Sequence, residues 1–154
     1  MLSTKILSSA IAGTSAMTLF SYLVSESKNK NFREPEILSQ LIKRLPIQNS
    51  KTSADISGWC AHYTVGIIFV ALYHELWKET KIKPSITSGI TLGALSGLVG
   101  IGTWQGIFGM HPNPPSKNLK KYFKHLMIAH MVFGAFSAIS YKLTGIDKRK
   151  NEND

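Results

Sequence analysis

Cysteine occurs once in the 154 residues, at Cys60, so no disulfide within the chain can staple the fold. Acidic residues are scarce: 9 Asp and Glu face 18 Lys and Arg, a formal charge of +9. No nucleic-acid motif accompanies that basic excess, and G-x-S-x-G, H-E-x-x-H, C-x-x-C, Walker and paired-carboxylate patterns are all missing, which removes the enzyme classes that announce themselves in sequence. Glu75 and Glu79 lie beside Lys78 and read as a solvated charge cluster. The most informative absence is local. Four long stretches hold no Asp, Glu, Lys or Arg, which excludes an ordinary soluble helical globule, because soluble helices keep a charged face along their length.

The first stretch runs over 6–25, between Lys5 and Glu26, and the second over 56–74, between Asp55 and Glu75. The third, 84–116, has an apolar centre at 86–110; the fourth covers about 125–142, charge-free from His125 to Tyr141 between Lys124 and Lys142. About 20 residues rising about 1.5 Å each cross a hydrocarbon core about 30 Å thick. The expected fold is therefore all-α, an integral membrane four-helix bundle in one domain over 1–146, with a polar, unstructured tail at 147–154. The first stretch is rich in Ser and Thr and follows a short basic start, as a secretory signal would. It lacks a small-x-small cleavage site and exceeds the usual apolar length of a signal, so it reads as a retained span.

Between the first two spans, Ile37, Leu38, Leu41, Ile42 and Leu45 recur at helical spacing opposite Glu36, Ser39, Gln40, Lys43 and Arg44. Pro35 suits a first turn and Pro46 a stop. This spacing predicts an amphipathic helix over 35–45 lying along the membrane surface, with packing on a partner protein as the competing use. Basic residues number ten on the side of the long loop and eight on the other. The cluster just after the first span points to a cytoplasmic long loop and termini outside. The partners expected from the charge are the lipid bilayer and its anionic headgroups, not nucleic acid.

Spans two and four share a pattern. Ala61, His62, Gly66 and Tyr73 coincide with Ala129, His130, Gly134 and Tyr141 at a constant offset of 68, and Gly13-Thr14 of span one echoes Gly102-Thr103 of span three. A duplicated helical hairpin is one reading and chance likeness the other. Positions four and eleven residues after each His fall about 40° and 20° from it around a helix, so His, Gly and Tyr form one stripe. In span three, Gly89, Gly93 and Gly97 make G-x-x-x-G-x-x-x-G, continued by Gly102 and Gly106. Small residues at this spacing pack helices within a bundle or, alternatively, join a homodimer or a membrane-protein partner.

Histidine inside a span is a candidate for function. His62 and His130, with Gly66 and Gly134 clearing space beside them, are the candidate cofactor site, and a haem b held by both imidazoles is the group they would suit. A zinc-like site would add His111 or His125, with Cys60 as the only nearby thiol. The structural alternative is histidines hydrogen-bonded across helix seams. Trp59, Trp77, Tyr22, Tyr73, Tyr122 and Tyr141 lie near span ends and are expected at the headgroup level; Gln105 is deeper and is expected to bond to a neighbouring helix.

The four-span layout, the Gly-Thr of span one and the His-x-x-x-Gly stripe of span two resemble small uncharacterised bacterial inner-membrane proteins. The resemblance covers the spans but neither the long loop nor the tail. It implies the topology and a bacterial inner (cytoplasmic) membrane, and no activity. The expected function is a non-enzymatic binding or assembly component of a membrane. The alternatives are a haem-b electron carrier with His62 and His130 as ligands, and a small transporter or proton path.

Overall fold

The computed structural model describes residues 3–46 and 50–151, the backbone alone over 145–151. These form five helices and, among the described residues, no strand: α1 (Thr4–Lys28), α2 (Glu34–Lys43), α3 (Lys51–Glu79), α4 (Ile86–Met110) and α5 (Leu119–Asn151). Four of them, with α5 taken over Leu119–Thr144, are long and apolar enough to cross a membrane. Helix α4 matches the expected 86–110, whereas α1, α3 and α5 run on into the flanking charged residues. Ser3, Ser50 and Ser85 cap the first, third and fourth helices, each accepting from a backbone N–H three residues on, and Ser85 and Ser88 form a reciprocal box. Asn29 ends α1 at φ 49°, a left-handed position that its short amide side chain tolerates.

Helix α5 continues to Asn151, so the segment expected as an unstructured tail is helical over 147–151, while 152–154 lie outside the described residues. The sequence after Gly145 holds no breaker, and Lys148, Arg149 and Lys150 suit the negative end of a helix dipole.

Helix α5 packs along both α4 and α1, α1 packs along α3, and α2 lies on α3. The α4–α5 seam is backbone against backbone: a Cβ on Gly89 would overlap the carbonyl oxygen of Gly134, one on Gly134 that of Gly89, and one on Gly93 that of His130. Gly97 meets Met127 and His130. Further along, Gly102 has nothing within 4 Å and Gly106 meets only Met110 of its own helix. The expected packing stripe therefore ends at Gly97, because Gly102 lies five residues on, about 140° further round the helix, and with Gly106 falls off the seam.

Helix α1 turns its hydroxyls inward, beside a core of buried apolar side chains that includes Val70, Leu126 and Phe133, and the outer faces of the bundle are apolar as well. Ser9, Thr14, Thr18, Ser21 and Ser25 of α1 are all buried, while Leu19, Leu23, Ile68, Leu98 and Val99 are each more than half exposed. Inward polarity of this kind is how helices associate where the surroundings are as apolar as their outer faces.

Two expectations are corrected here. Trp77, Tyr73, Tyr122 and Tyr141 are buried rather than set in a headgroup belt, since each packs on aromatic neighbours within the bundle: Trp77 on Tyr141 with ring centres 4.8 Å apart, Tyr73 on Phe133 at 6.0 Å and Tyr122 on Trp104 at 5.4 Å. Helix α2 buries Ile37 and Leu41 against protein, not against lipid. Gly58 of α3 makes that possible, because a Cβ there would overlap the Pro35 carbonyl oxygen and lie 2.8 Å from the Ser39 nitrogen. Gln105 is exposed.

Candidate functional site

The helices at the ends of this packing order, α3 and α4, share no seam like the others. The Tyr73 and Ser96 hydroxyls join them, 2.6 Å apart and buried. Toward the opposite end α2 closes the gap. His111, at the end of α4, meets the Leu41 carbonyl of α2 through Nε2 at 2.9 Å, and since a carbonyl only accepts, the imidazole N–H donates.

Between these two ties lies a chamber of about 190 Å³. His62, Gly66 and Phe69 of α3 line it, facing Gly100, Thr103 and Trp104 of α4. Phe133 and His130 of α5, Thr14 and Met17 of α1, and Glu34 and Leu38 of α2 complete the wall. Val65, 45% exposed, and the exposed Thr103 belong both to the lining and to the outer surface, so the chamber opens sideways between α3 and α4.

Three of the four residues expected at a cofactor site therefore meet at one chamber: His62, His130 and Gly66. Gly134 does not; it is spent on the α4 seam. Nor do the matched positions of spans two and four make matching contacts. A Cβ on Gly66 would overlap the Thr14 hydroxyl, where Gly134 meets backbone; Tyr73 bonds to Ser96, where Tyr141 meets His74 Nδ1 at 2.5 Å.

The hydrogen bonds fix which nitrogen of each neutral ring carries the proton. Thr18 gives its only hydroxyl proton to the Thr14 carbonyl at 2.7 Å, so it accepts from His62 Nε2 at 2.9 Å, which leaves His62 Nδ1 as the lone-pair nitrogen. His130 Nδ1 faces the Leu126 carbonyl at 2.9 Å and must donate, which leaves His130 Nε2 as the lone-pair nitrogen. A Cβ on Gly100 would sit 3.2 Å from that nitrogen, so the acceptor edge of His130 lies against the chamber wall formed by Gly100.

His125 and His111 stand apart. His125 pairs with Ser21 at 2.9 Å and is stacked between Phe20 and Phe32, and His111 is committed to α2. Among the described residues no three His, Cys, Asp or Glu come together as a metal would require, and Cys60 is exposed.

The residue that sequence reasoning passed over is Glu34. It opens α2, is 2% exposed, and neither carboxyl oxygen has a hydrogen-bond partner among the described residues. Burial pushes its pKa up to about 8; its own backbone N–H and the Ser21 hydroxyl oppose the shift, yet neither is placed for a full hydrogen bond. The neighbouring Arg33 offers no relief, since its guanidinium is paired with Glu26 and Glu36. The buried Tyr122 hydroxyl is likewise unpartnered. A signal for Glu34 exists in the sequence: positions 34, 37, 38 and 41 fall on one helical face, so extending the apolar stripe one turn backward lands on this carboxylate.

Comparison with protein-family models, with curated proteins and with solved structures finds no match, so the functional reading rests on the geometry of the chain itself.

Proposed function

We propose that this chain is a multi-pass membrane protein that binds a small lipophilic molecule in the chamber between α3 and α4, admitting it sideways from the bilayer. The observation that carries the reading is a chamber of about 190 Å³ with an opening between two helices whose outer faces are apolar. An apolar cavity of about 150 Å³ is enough to hold benzene, so a single ring with a short substituent fits here. Phe69, Trp104, Phe133, Met17 and Leu38 supply the apolar wall, and a few polar groups orient the guest, which is the usual composition of a small-molecule site.

This reading makes the protein a binding component rather than an enzyme. It is favoured over the haem-b carrier by size, since the chamber matches a guest far smaller than a porphyrin. The test is binding of ethylbenzene to the detergent-solubilised protein, followed through Trp104 fluorescence. Saturable binding is expected in the natural sequence and its loss in Thr103→Trp, where the indole fills the opening. Absence of saturable binding, or binding indifferent to that substitution, contradicts the proposal.

A further inference from the structure

A buried polar atom left without a partner is costly, so the unpaired atoms that a chamber wall keeps open point to the guest that would complete them. A charged guest is not what they ask for. Glu34 is the one carboxylate of the lining, and both its oxygens are sealed. The Thr14 hydroxyl is also unpartnered, and it is sealed where it presses on Gly66. Trp104 differs. Its N–H has no hydrogen-bond partner among the described residues and, unlike the Trp77 N–H, it is not sealed.

The matching acceptor is on α5. His130 gives its Nδ1 proton to the Leu126 carbonyl, so Nε2 keeps a free lone pair, 3.2 Å from where a Cβ on Gly100 would sit. Gly100 and Trp104 stand one turn apart on α4, and both line the chamber. A helical side chain leans back over the turn before it, so the Trp104 indole reaches toward Gly100, where the acceptor edge of His130 lies. Donor and acceptor therefore flank one point of the wall, left uncovered because Gly100 has no side chain. Phe69 and Phe133 stand beside it, their ring centres 6.0 and 6.5 Å from that of His130.

Resting on the reading of the chamber as a lipophilic-guest site, we infer that its guest is a small phenol, an uncharged ring set against Phe69 and Phe133 whose hydroxyl donates to His130 Nε2 and accepts from the Trp104 N–H. A hydroxyl fits because it does both. A ketone or an ether only accepts, which leaves the His130 lone pair unpaired, and an ion finds no open counter-charge among the described residues of the wall. A phenol O–H is more acidic than an aliphatic one, so it makes the stronger bond to an imidazole nitrogen. One ring with a short substituent also suits a volume of about 190 Å³.

The experiment titrates 4-ethylphenol, its isomer 4-methylanisole, which accepts but cannot donate, and ethylbenzene into the whole protein in detergent. Calorimetry gives each affinity, corrected for the guest's partition into protein-free micelles. A net hydrogen bond corresponds to about fivefold in affinity, so 4-ethylphenol is expected to bind about fivefold more tightly than the anisole and to exceed ethylbenzene by more. Trp104→Phe keeps a ring and removes the N–H, and Gly100→Ala sets a methyl over the His130 acceptor edge. Each is expected to lower the ratio of phenol to ethylbenzene affinity about fivefold, a ratio in which any change of chamber volume cancels. In nitrogen-15 spectra His130 Nε2 should move upfield with 4-ethylphenol and hold its place with ethylbenzene. Ethylbenzene binding with no preference for the phenol, or a preference that survives both substitutions, overturns the phenol assignment and leaves the chamber standing. Failure of all three guests in the natural sequence removes the chamber reading and the assignment together.

Discussion

Glu34→Gln makes a prediction about stability. In the folded chain the carboxyl holds its proton up to about pH 8, whereas in the unfolded chain it gives it up near 4.5. Between those two values the folded state binds one proton more than the unfolded state, so stability falls as pH rises, by about 1.4 kcal/mol per unit. Below 4.5 both states are protonated and above 8 both are ionised, so the loss is confined to that window. Across it the loss is on the order of 5 kcal/mol, at least a third of the roughly 5–15 kcal/mol stability of a typical domain. Glutamine has nearly the same volume and no charge. The variant should match the natural protein within about 1 kcal/mol at pH 5 and exceed it by several kcal/mol at pH 9. Unfolding by sodium dodecyl sulfate in mixed micelles, read by tryptophan fluorescence, gives both curves, and their difference cancels every other titrating group. Parallel curves for the two proteins would show that Glu34 is solvated and the argument wrong.

Further outcomes follow from the seams and the ties of the bundle. Gly134→Val drives a side chain into the Gly89 carbonyl and should cost roughly 2–4 kcal/mol in the same assay. Gly102→Ala, with open space around it, should be neutral or stabilise by up to about 1 kcal/mol. Nitrogen-15 NMR of the histidine rings should find His62 protonated at Nε2 and His130 at Nδ1; the opposite tautomers would break the polar chain through Thr18. Tyr73→Phe removes the buried bond to Ser96 and should cost about 1 kcal/mol while speeding guest exchange, because it loosens one frame of the opening; unchanged exchange rates in a stopped-flow measurement would show that this tie does not control entry.

Much of the fold is legible in the charge-free stretches, because their lengths and flanks depend only on helix rise and on where charge can sit. The inward placement of His62 and His130 is what the cost of exposing imidazole to hydrocarbon would impose on helices long and apolar enough to cross a membrane. What single-span patterns do not encode is which helix meets which. Gly66 and Gly134 occupy the same place in similar stripes, yet one faces α1 beside the chamber and the other is pressed on α4. The aromatic residues near span ends mislead for the same reason, since position along a helix fixes depth but not the side a ring faces. Helix α2 was recognisable by its period, but its partner was not, because an apolar stripe fits a membrane surface and a protein groove equally well. Glu34 shares the same period, but Pro35 suits the first helical position and so marks a start one residue after the helix begins.

The claim on which the account depends is that the opening between α3 and α4 faces hydrocarbon. Spin labels placed singly at Val65, Leu98 and Thr103, in a Cys60→Ser background reconstituted into bilayers, report collision with oxygen, which concentrates in lipid, against collision with a water-soluble nickel chelate. Oxygen collisions should dominate at all three positions and chelate collisions at a label on Lys81. Strong chelate collisions at Val65 and Thr103 would show a water-facing chamber and contradict entry from the bilayer.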